Sequence, residues 1–240
     1  MISKTKAIVL SKIKYSDYDL IVKCYSENYG VIKFLLKGVL RNKKGKLKAA
    51  YFQNLSQLQL EVSVKPNRDL QYVKEVKPHV IYTTLQTDII KSTIAMFLAE
   101  ILSNVLHEEE SNESLYSFLE TTLQWLDTGH EHVNFHLLFL LKLTKYLGFY
   151  PDIQESYKPY FNLRAGKFED QPSDLYSISG ENLVLLKQLL GTGFDALSSI
   201  KINSTQRQFL LNQILSYFEL HLDSFKKPKS LEVFHQVFTN

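Results

Sequence analysis

The chain has 240 residues, 45% of them apolar and 22% charged, which suits one large or two modest globular domains and excludes a disordered chain. Its single cysteine, Cys24, excludes a disulfide framework and a cysteine-built zinc site, and fits a reducing compartment. The net charge of +3 is uneven: residues 1–77 carry 16 Lys or Arg against 6 Asp or Glu, and residues 78–240 carry 12 against 19, so only the N-terminal part suits a polyanion.

The first 77 residues predict short strands. "KAIVLSKI", "DLIVKCYS" and "GVIKFLLKG" are rich in β-branched and aromatic residues and are separated by the turn-like "KYSDYD" and "SENYG". In "LSQLQLEVSVK", Leu58, Leu60, Val62 and Val64 alternate with Gln57, Gln59, Glu61 and Ser63, which predicts one dry and one wet face. A turn at Pro66-Asn67-Arg68-Asp69 leads into a fifth strand, "LQYVKEV". Five short strands in a small basic unit suit a barrel of the OB type, which commonly binds oligonucleotides.

The period changes at about residue 83. Ile89, Ile90, Ile94, Phe97, Leu98, Ile101, Leu102 and Val105 recur at helical spacing. A second helix follows Asn112 as cap and ends at Gly129, and a third runs from 133 to a stop at Gly148. The apolar residues nearly encircle this third helix, which predicts a place at the centre of the helical core. Residues 150–178 carry three prolines and the turn Arg164-Ala165-Gly166-Lys167, a small hairpin excursion. Helices resume at 181–190 behind Ser179, at 204–222 behind Asn203, and at 230–238 after Pro228. The expected fold is α+β: an OB barrel over residues 1–79, then an all-α domain over 80–240 with the hairpin inserted.

Catalytic chemistry finds no foothold. No nucleophile elbow, phosphate-binding glycine loop or dinucleotide fingerprint is present. His132 and His136 are one helical turn apart with His130 nearby, but no third ligand is signalled, and a helix N-terminal face is the simpler reading. Glu108 to Glu110 reads as a solvated helix end, and Cys24 as a buried structural thiol. A non-enzymatic protein with no cofactor or metal is expected. No apolar run is long enough for a membrane span, and the N-terminal one is too short for a signal-peptide core, so a cytoplasmic protein is expected, with no membrane partner.

Binding chemistry is better supplied. Positions 37–48 hold six Lys or Arg and no acid, in "KGVLRNKKGKLK". Single-stranded nucleic acid needs cations for its phosphates and flat rings for its bases. The candidate cations are Lys12, Lys14, Lys23, Lys33, Lys37, Arg41, Lys43, Lys44, Lys46 and Lys48. The candidate stacking rings are Tyr15, Tyr18, Tyr29, Tyr51 and Phe52, with Tyr15 and Tyr51 foremost. An OB-fold RNA binder, and an adaptor whose basic loop meets an acidic protein, fit the same residues.

The order of motifs resembles that of the bacterial RecO family of DNA repair proteins. They are the strand Thr5 to Leu10, the turn of Tyr15 with Asp17 and Asp19, Gly30, then Lys37-Gly38 and the basic stretch Arg41 to Lys48. Glu100 and Glu108 to Asn112, the Gly148-Phe149-x-Pro151 segment, and the ending "KSLEV" continue the resemblance through nearly the whole chain. The resemblance implies an OB domain followed by a helical domain, binding and annealing of single-stranded DNA, and help in loading RecA onto strands coated by single-strand-binding protein. It implies as partners RecR and the acidic C-terminal tail of single-strand-binding protein, and association with the nucleoid. Many members carry two Cys-x-x-Cys pairs after the Gly-Phe-x-Pro segment. This chain has none there, so zinc is not expected, and Tyr157, Tyr160, Phe161 and Phe168 are the expected apolar substitute.

Overall fold

The computed structural model of the protein describes residues 2–41, 47–107, 110–129 and 133–239, with residue 239 described by its backbone alone. The chain groups into two compact units, Met1–Thr128 and Gly129–Asn240.

In the first unit, strands form where the period of two and the β-branched runs predict them: β1 (Ile2–Lys14), β2 (Leu20–Ser26), β3 (Gly30–Leu36), β4 (Gln57–Ser63) and β5 (Tyr72–Pro78). They pair in the order β3-β2-β1-β4-β5, all antiparallel. β1 serves both halves of the sheet: Ile2 to Ile8 pair with β4, and Ala7 to Lys14 with β2. Its register with β2 shifts between Val9 and Ser11, an irregularity that bends a strand and lets it turn the corner. The two ends of the sheet then meet. A parallel bridge joins Phe34 of β3 to Gln71 just before β5. There Leu35 N–H donates to Gln71 O at 2.9 Å, and Gln71 N–H to Lys33 O at 2.8 Å. This order, closed by a parallel contact of the third and fifth strands, is the OB barrel.

The inside of the barrel is filled by Val9, Val22, Phe34, Leu36, Leu60 and Val62, among others, all buried. Cys24 lies among them, and burial pushes its thiol far above the ordinary range, which makes it inert. Two expectations are corrected here. Phe52, a candidate stacking ring, is fully buried in this core. Gln57, expected on the wet face of β4, is also fully buried. The wet face is covered at that point by a helix, and the amide is used: Gln57 Nε2 donates to Glu120 O at 2.9 Å, and Gln124 Nε2 to Gln57 Oε1 at 3.3 Å.

The covering helices are α1 (Ile89–Val105) and α2 (Glu113–Thr128). α1 packs against β1, where Ile8 and Leu10 are buried outside the barrel core. It starts at Ile89, the first residue of the predicted stripe, where Asp88 caps it by accepting from Ile90 N and Lys91 N. Ile89, counted in the apolar stripe, sits in that first turn and is exposed. Asn112 caps α2 as expected, accepting from Leu115 N at 2.9 Å. The Asp127 side chain near the end of α2 accepts the N–H groups of Thr83, Thr84 and Leu85, which holds the segment between β5 and α1 in an irregular path. The boundary expected at residues 79 and 80 thus falls inside the first unit.

In the second unit, α3 (Phe135–Tyr146) is buried nearly all round, as its encircling apolar residues predict, and ends before Gly148, whose φ of +85° suits glycine. The excursion is a small sheet of β6 (Tyr160–Asn162), β7 (Lys167–Glu169) and β8 (Ser177–Ser179) in the order β7-β6-β8. The predicted hairpin is β6 and β7. β8 was not legible, because three residues are too few to show a period. Phe161 and Phe168 are buried with ring centroids 5.0 Å apart, whereas Tyr157 is exposed. α4 (Gly180–Leu190), α5 (Ser204–His221) and α6 (Leu231–Thr239) follow. α5 opens with a capping box between Asn203 and Gln206. Among the described residues no helix is long and apolar enough to cross a membrane.

Candidate nucleic-acid interface

The candidate cations among the described residues lie at one end and along one flank of the barrel. Lys12 and Lys14 lie at the exposed end of β1, and Tyr15 and Tyr18 project from the turn that follows, both more than half exposed. This turn is tied to the end of β3: Asp19 Oδ1 accepts from Gly38 N at 2.7 Å, and Leu40 N donates to Tyr18 O at 3.0 Å. Gly38 has a φ of +65°, a conformation that costs glycine little and other residues about 1 kcal/mol or more. The tie sets the Arg41 guanidinium 5.6 Å from the centroid of the Tyr18 ring. Lys12 Nζ donates to Gln53 Oε1 at 3.2 Å.

Lys33 and Lys37 point outwards from β3, as the alternation predicts, and both are exposed. Lys37 Nζ lies 5.6 Å from the centroid of Tyr72, and the Arg68 guanidinium lies 5.7 Å from the same ring. Lys48 Nζ stands 5.7 Å from the centroid of Tyr51, which is half-buried against the barrel core. Tyr29 also packs on that core, with its hydroxyl 2.7 Å from Ser3 Oγ. Lys43, Lys44 and Lys46 lie outside the described residues.

Lys23 is employed differently from the other candidates. Its ammonium donates to Ser103 O at 2.6 Å and to Leu106 O at 2.9 Å, which caps the C-terminal end of α1. Burial, and then the neighbouring Lys33, lower its pKa from the ordinary value. Lys23 and Lys33 are register partners on β2 and β3, a like-charge pairing that weakens a sheet unless something offsets it.

Sequence reasoning missed Lys65, Arg68 and Tyr72. The Pro66 to Asp69 stretch reads as a turn, and its cations are unremarkable in one dimension. The signal that could have found them is topological: the loop before the fifth strand of an OB barrel lies beside the second and third strands.

The histidines expected at a helix N-terminal face are divided. His130 and His132 lie outside the described residues. His136 is fully buried, edge-on to Phe234 and Phe238, and among the described residues neither ring nitrogen has a hydrogen-bond partner of good geometry, the Val133 backbone offering only a weak one. Burial above all, with Arg207 and His235, holds its pKa well below the ordinary value. Among the described residues no group of three or more His, Cys, Asp or Glu could hold a metal ion.

Comparison with known proteins connects this interface to a family. The family model for the recombination protein O N terminal matches residues 1–82, and that for its C terminal matches residues 86–232. The chain belongs to the RecO family of DNA repair proteins. Its relatives include the DNA repair protein RecO of Christiangramia forsetii, 48% identical over 99% of this chain and 100% of that one. The RecO of Flavobacterium psychrophilum is 44% identical over 98% and 99% of the two chains. That of Bacteroides fragilis is 36% identical over 99% and 100%. Membership covers both units, so the cation-rich barrel belongs to a protein of DNA repair and recombination.

Proposed function

We propose that this RecO family member acts as a recombination mediator without catalysing a reaction. It binds single-stranded DNA on the basic end of its OB barrel, brings complementary strands together, and helps load RecA onto strands coated by single-strand-binding protein. RecR and the acidic tail of single-strand-binding protein are the expected protein partners, in the cytoplasm at the nucleoid. One observation carries the DNA contact: exposed cations alternate with partly exposed tyrosines across one end of the barrel, Arg41 at Tyr18 and Lys37 and Arg68 at Tyr72. Such a surface offers charge to phosphates and rings to bases at once. Annealing follows from charge: a positive surface that holds two strands lowers their mutual repulsion.

The test is a fluorescence-quenching assay on complementary DNA oligonucleotides, bare and coated, with and without the protein. Faster pairing in both states is expected. An adaptor that never touches nucleic acid gives no acceleration, and that result refutes the proposal. A matched titration with RNA separates the RNA-binding alternative: tighter binding of RNA than of DNA at equal salt favours it.

A further inference from the structure

The excursion at residues 150–178 leaves apolar side chains in water that its own small core does not use. Leu175 is 100% exposed and Tyr157 78%, and Ile153 and Tyr176 are exposed as well. Single exposed apolar residues are ordinary, but a group of them drawn together marks a contact surface.

Hydrogen bonds and ion pairs draw these stretches together. Asp152 N donates to Gly166 O at 2.8 Å, which sets Ile153 beside the turn between β6 and β7. Arg164 of that turn lies over the Tyr176 ring, 5.0 Å from its centroid, and its Nε is 3.6 Å from Asp174 Oδ2. Lys158 Nζ is 2.8 Å from Glu155 and 3.3 Å from Asp170, which joins the turn of Tyr157 to the end of β7. The turn that carries Leu175 is itself fixed: Tyr176 N donates to Asp174 Oδ1 at 2.8 Å, and Leu163 N to Tyr176 O at 2.9 Å. Leu175 is therefore presented on a shaped turn, and little backbone freedom is lost when it is covered.

The charges of the excursion select what covers it. Residues 150–178 hold five Asp or Glu against three Lys or Arg, so a nucleic acid or an acidic peptide is repelled. A strongly basic partner would meet Arg164, which is exposed beside Tyr176. A surface that carries apolar groups, a cation and that cation's carboxylate side by side is complementary to itself when turned about a two-fold axis. Tyrosine and arginine are also the side chains that interface centres favour.

We propose that this surface docks a second copy of the chain, in a two-fold dimer that covers Leu175 and Tyr157 and sets Arg164 of one copy against Asp174 of the partner subunit. The excursion exposes 17 residues, short of the roughly 20–30 a side of a standard stable interface, so the dimer is a reversible one. It carries two barrels and so holds two strands in one particle, which favours their annealing. That consequence, though not the dimer, rests on the reading that the barrel binds single strands.

The experiment is sedimentation velocity of the full chain from about 1 to about 100 μM, a range that brackets a roughly micromolar Kd. The mass should rise with concentration from 27.9 kDa towards twice that value. Leu175→Asp should weaken association at least about tenfold, as truncation at an interface centre does. Its thermal melt should stay that of the parent, because the side chain touches no core. Arg164→Asp and Asp174→Arg should each weaken association alone, and mixing the two should restore it, because every contact across the axis then joins unlike charges. Mixing does not repair a merely local structural role, so the mixture remains decisive where either variant melts early. A parent that stays at 27.9 kDa throughout, a dimer that survives Leu175→Asp, or a mixture that associates no better than its parts overturns the proposal. A parent that dimerises but binds no oligonucleotide refutes the strand-binding reading and leaves the dimer standing.

Discussion

Replacing Asp127 by Ala should cost the first unit about 3–5 kcal/mol. Its carboxylate accepts from Thr83 N at 2.9 Å, Thr84 N at 2.8 Å, Leu85 N at 2.7 Å and Thr83 Oγ1 at 3.0 Å. Leu85 is fully buried, so its N–H cannot regain water and bears the full penalty of an unmade bond, about 1–3 kcal/mol. Thr83 is exposed and Thr84 half-buried, so their groups can be rehydrated and forfeit about 1 kcal/mol each. Lys91 Nζ, which donates to Asp127 O at 2.6 Å and Thr84 Oγ1 at 2.7 Å, keeps its main-chain partner in the variant and adds little to the loss. Asp127→Asn retains one acceptor oxygen and should cost about half as much. Burial opposes ionisation of this carboxyl, but the N–H groups of Thr83, Thr84 and Leu85 outweigh it and hold the pKa below the ordinary value. A depressed acid stabilises the fold above the unfolded value of about 3.9, and the gain is lost as pH falls through the folded value. The gap between parent and variant should therefore be full at neutral pH and narrow progressively as pH falls below about 4 towards the depressed folded value. Urea unfolding followed by Trp125, the single tryptophan and a neighbour of Asp127 in sequence, reads this unit directly. A loss below about 1 kcal/mol at pH 7, or a gap that does not narrow in acid, would refute this account of the joint.

Three further outcomes are expected. Changing Arg41, Lys43, Lys44, Lys46 and Lys48 together to Ala should flatten the salt slope of single-strand binding by on the order of 3, at roughly four contacts of about 0.7 each, with little change in the melt; anisotropy across a salt series checks it. His136→Leu should leave stability at pH 7 unchanged or raise it by about 1 kcal/mol, because a buried imidazole poorly satisfied among the described residues is replaced by a side chain that needs no partner. It should also remove part of the acid sensitivity in denaturant melts. With its folded pKa depressed, the parent loses up to about 1.4 kcal/mol per unit as pH falls below about 6.5, where only the unfolded ring takes a proton. Gly166→Ala should destabilise the second unit by about 1–2 kcal/mol in thermal melts, since φ is +65° and the new Cβ would stand 2.8 Å from Tyr217 Oη.

Much of this protein is local in origin and so was legible in one dimension. The five strands follow from a period of two, and the helices from apolar spacing and from caps at Asn112 and Asn203 that act within three residues of themselves. The charge asymmetry, and with it the expectation of a polyanion on the N-terminal part, needs no coordinates at all. Tertiary structure decided whatever depends on partners distant in sequence. Gln57 looks like a wet-face residue until α2, more than 60 positions away, covers it. Lys23 looks like a free cation until the end of α1 claims it. Phe52 looks like a platform for a base until the barrel closes over it. The meeting of Lys37 and Arg68 at Tyr72 exists only because Gln71 joins the fifth strand to the third, and a hydrogen bond across a barrel seam leaves no period in the sequence to announce it.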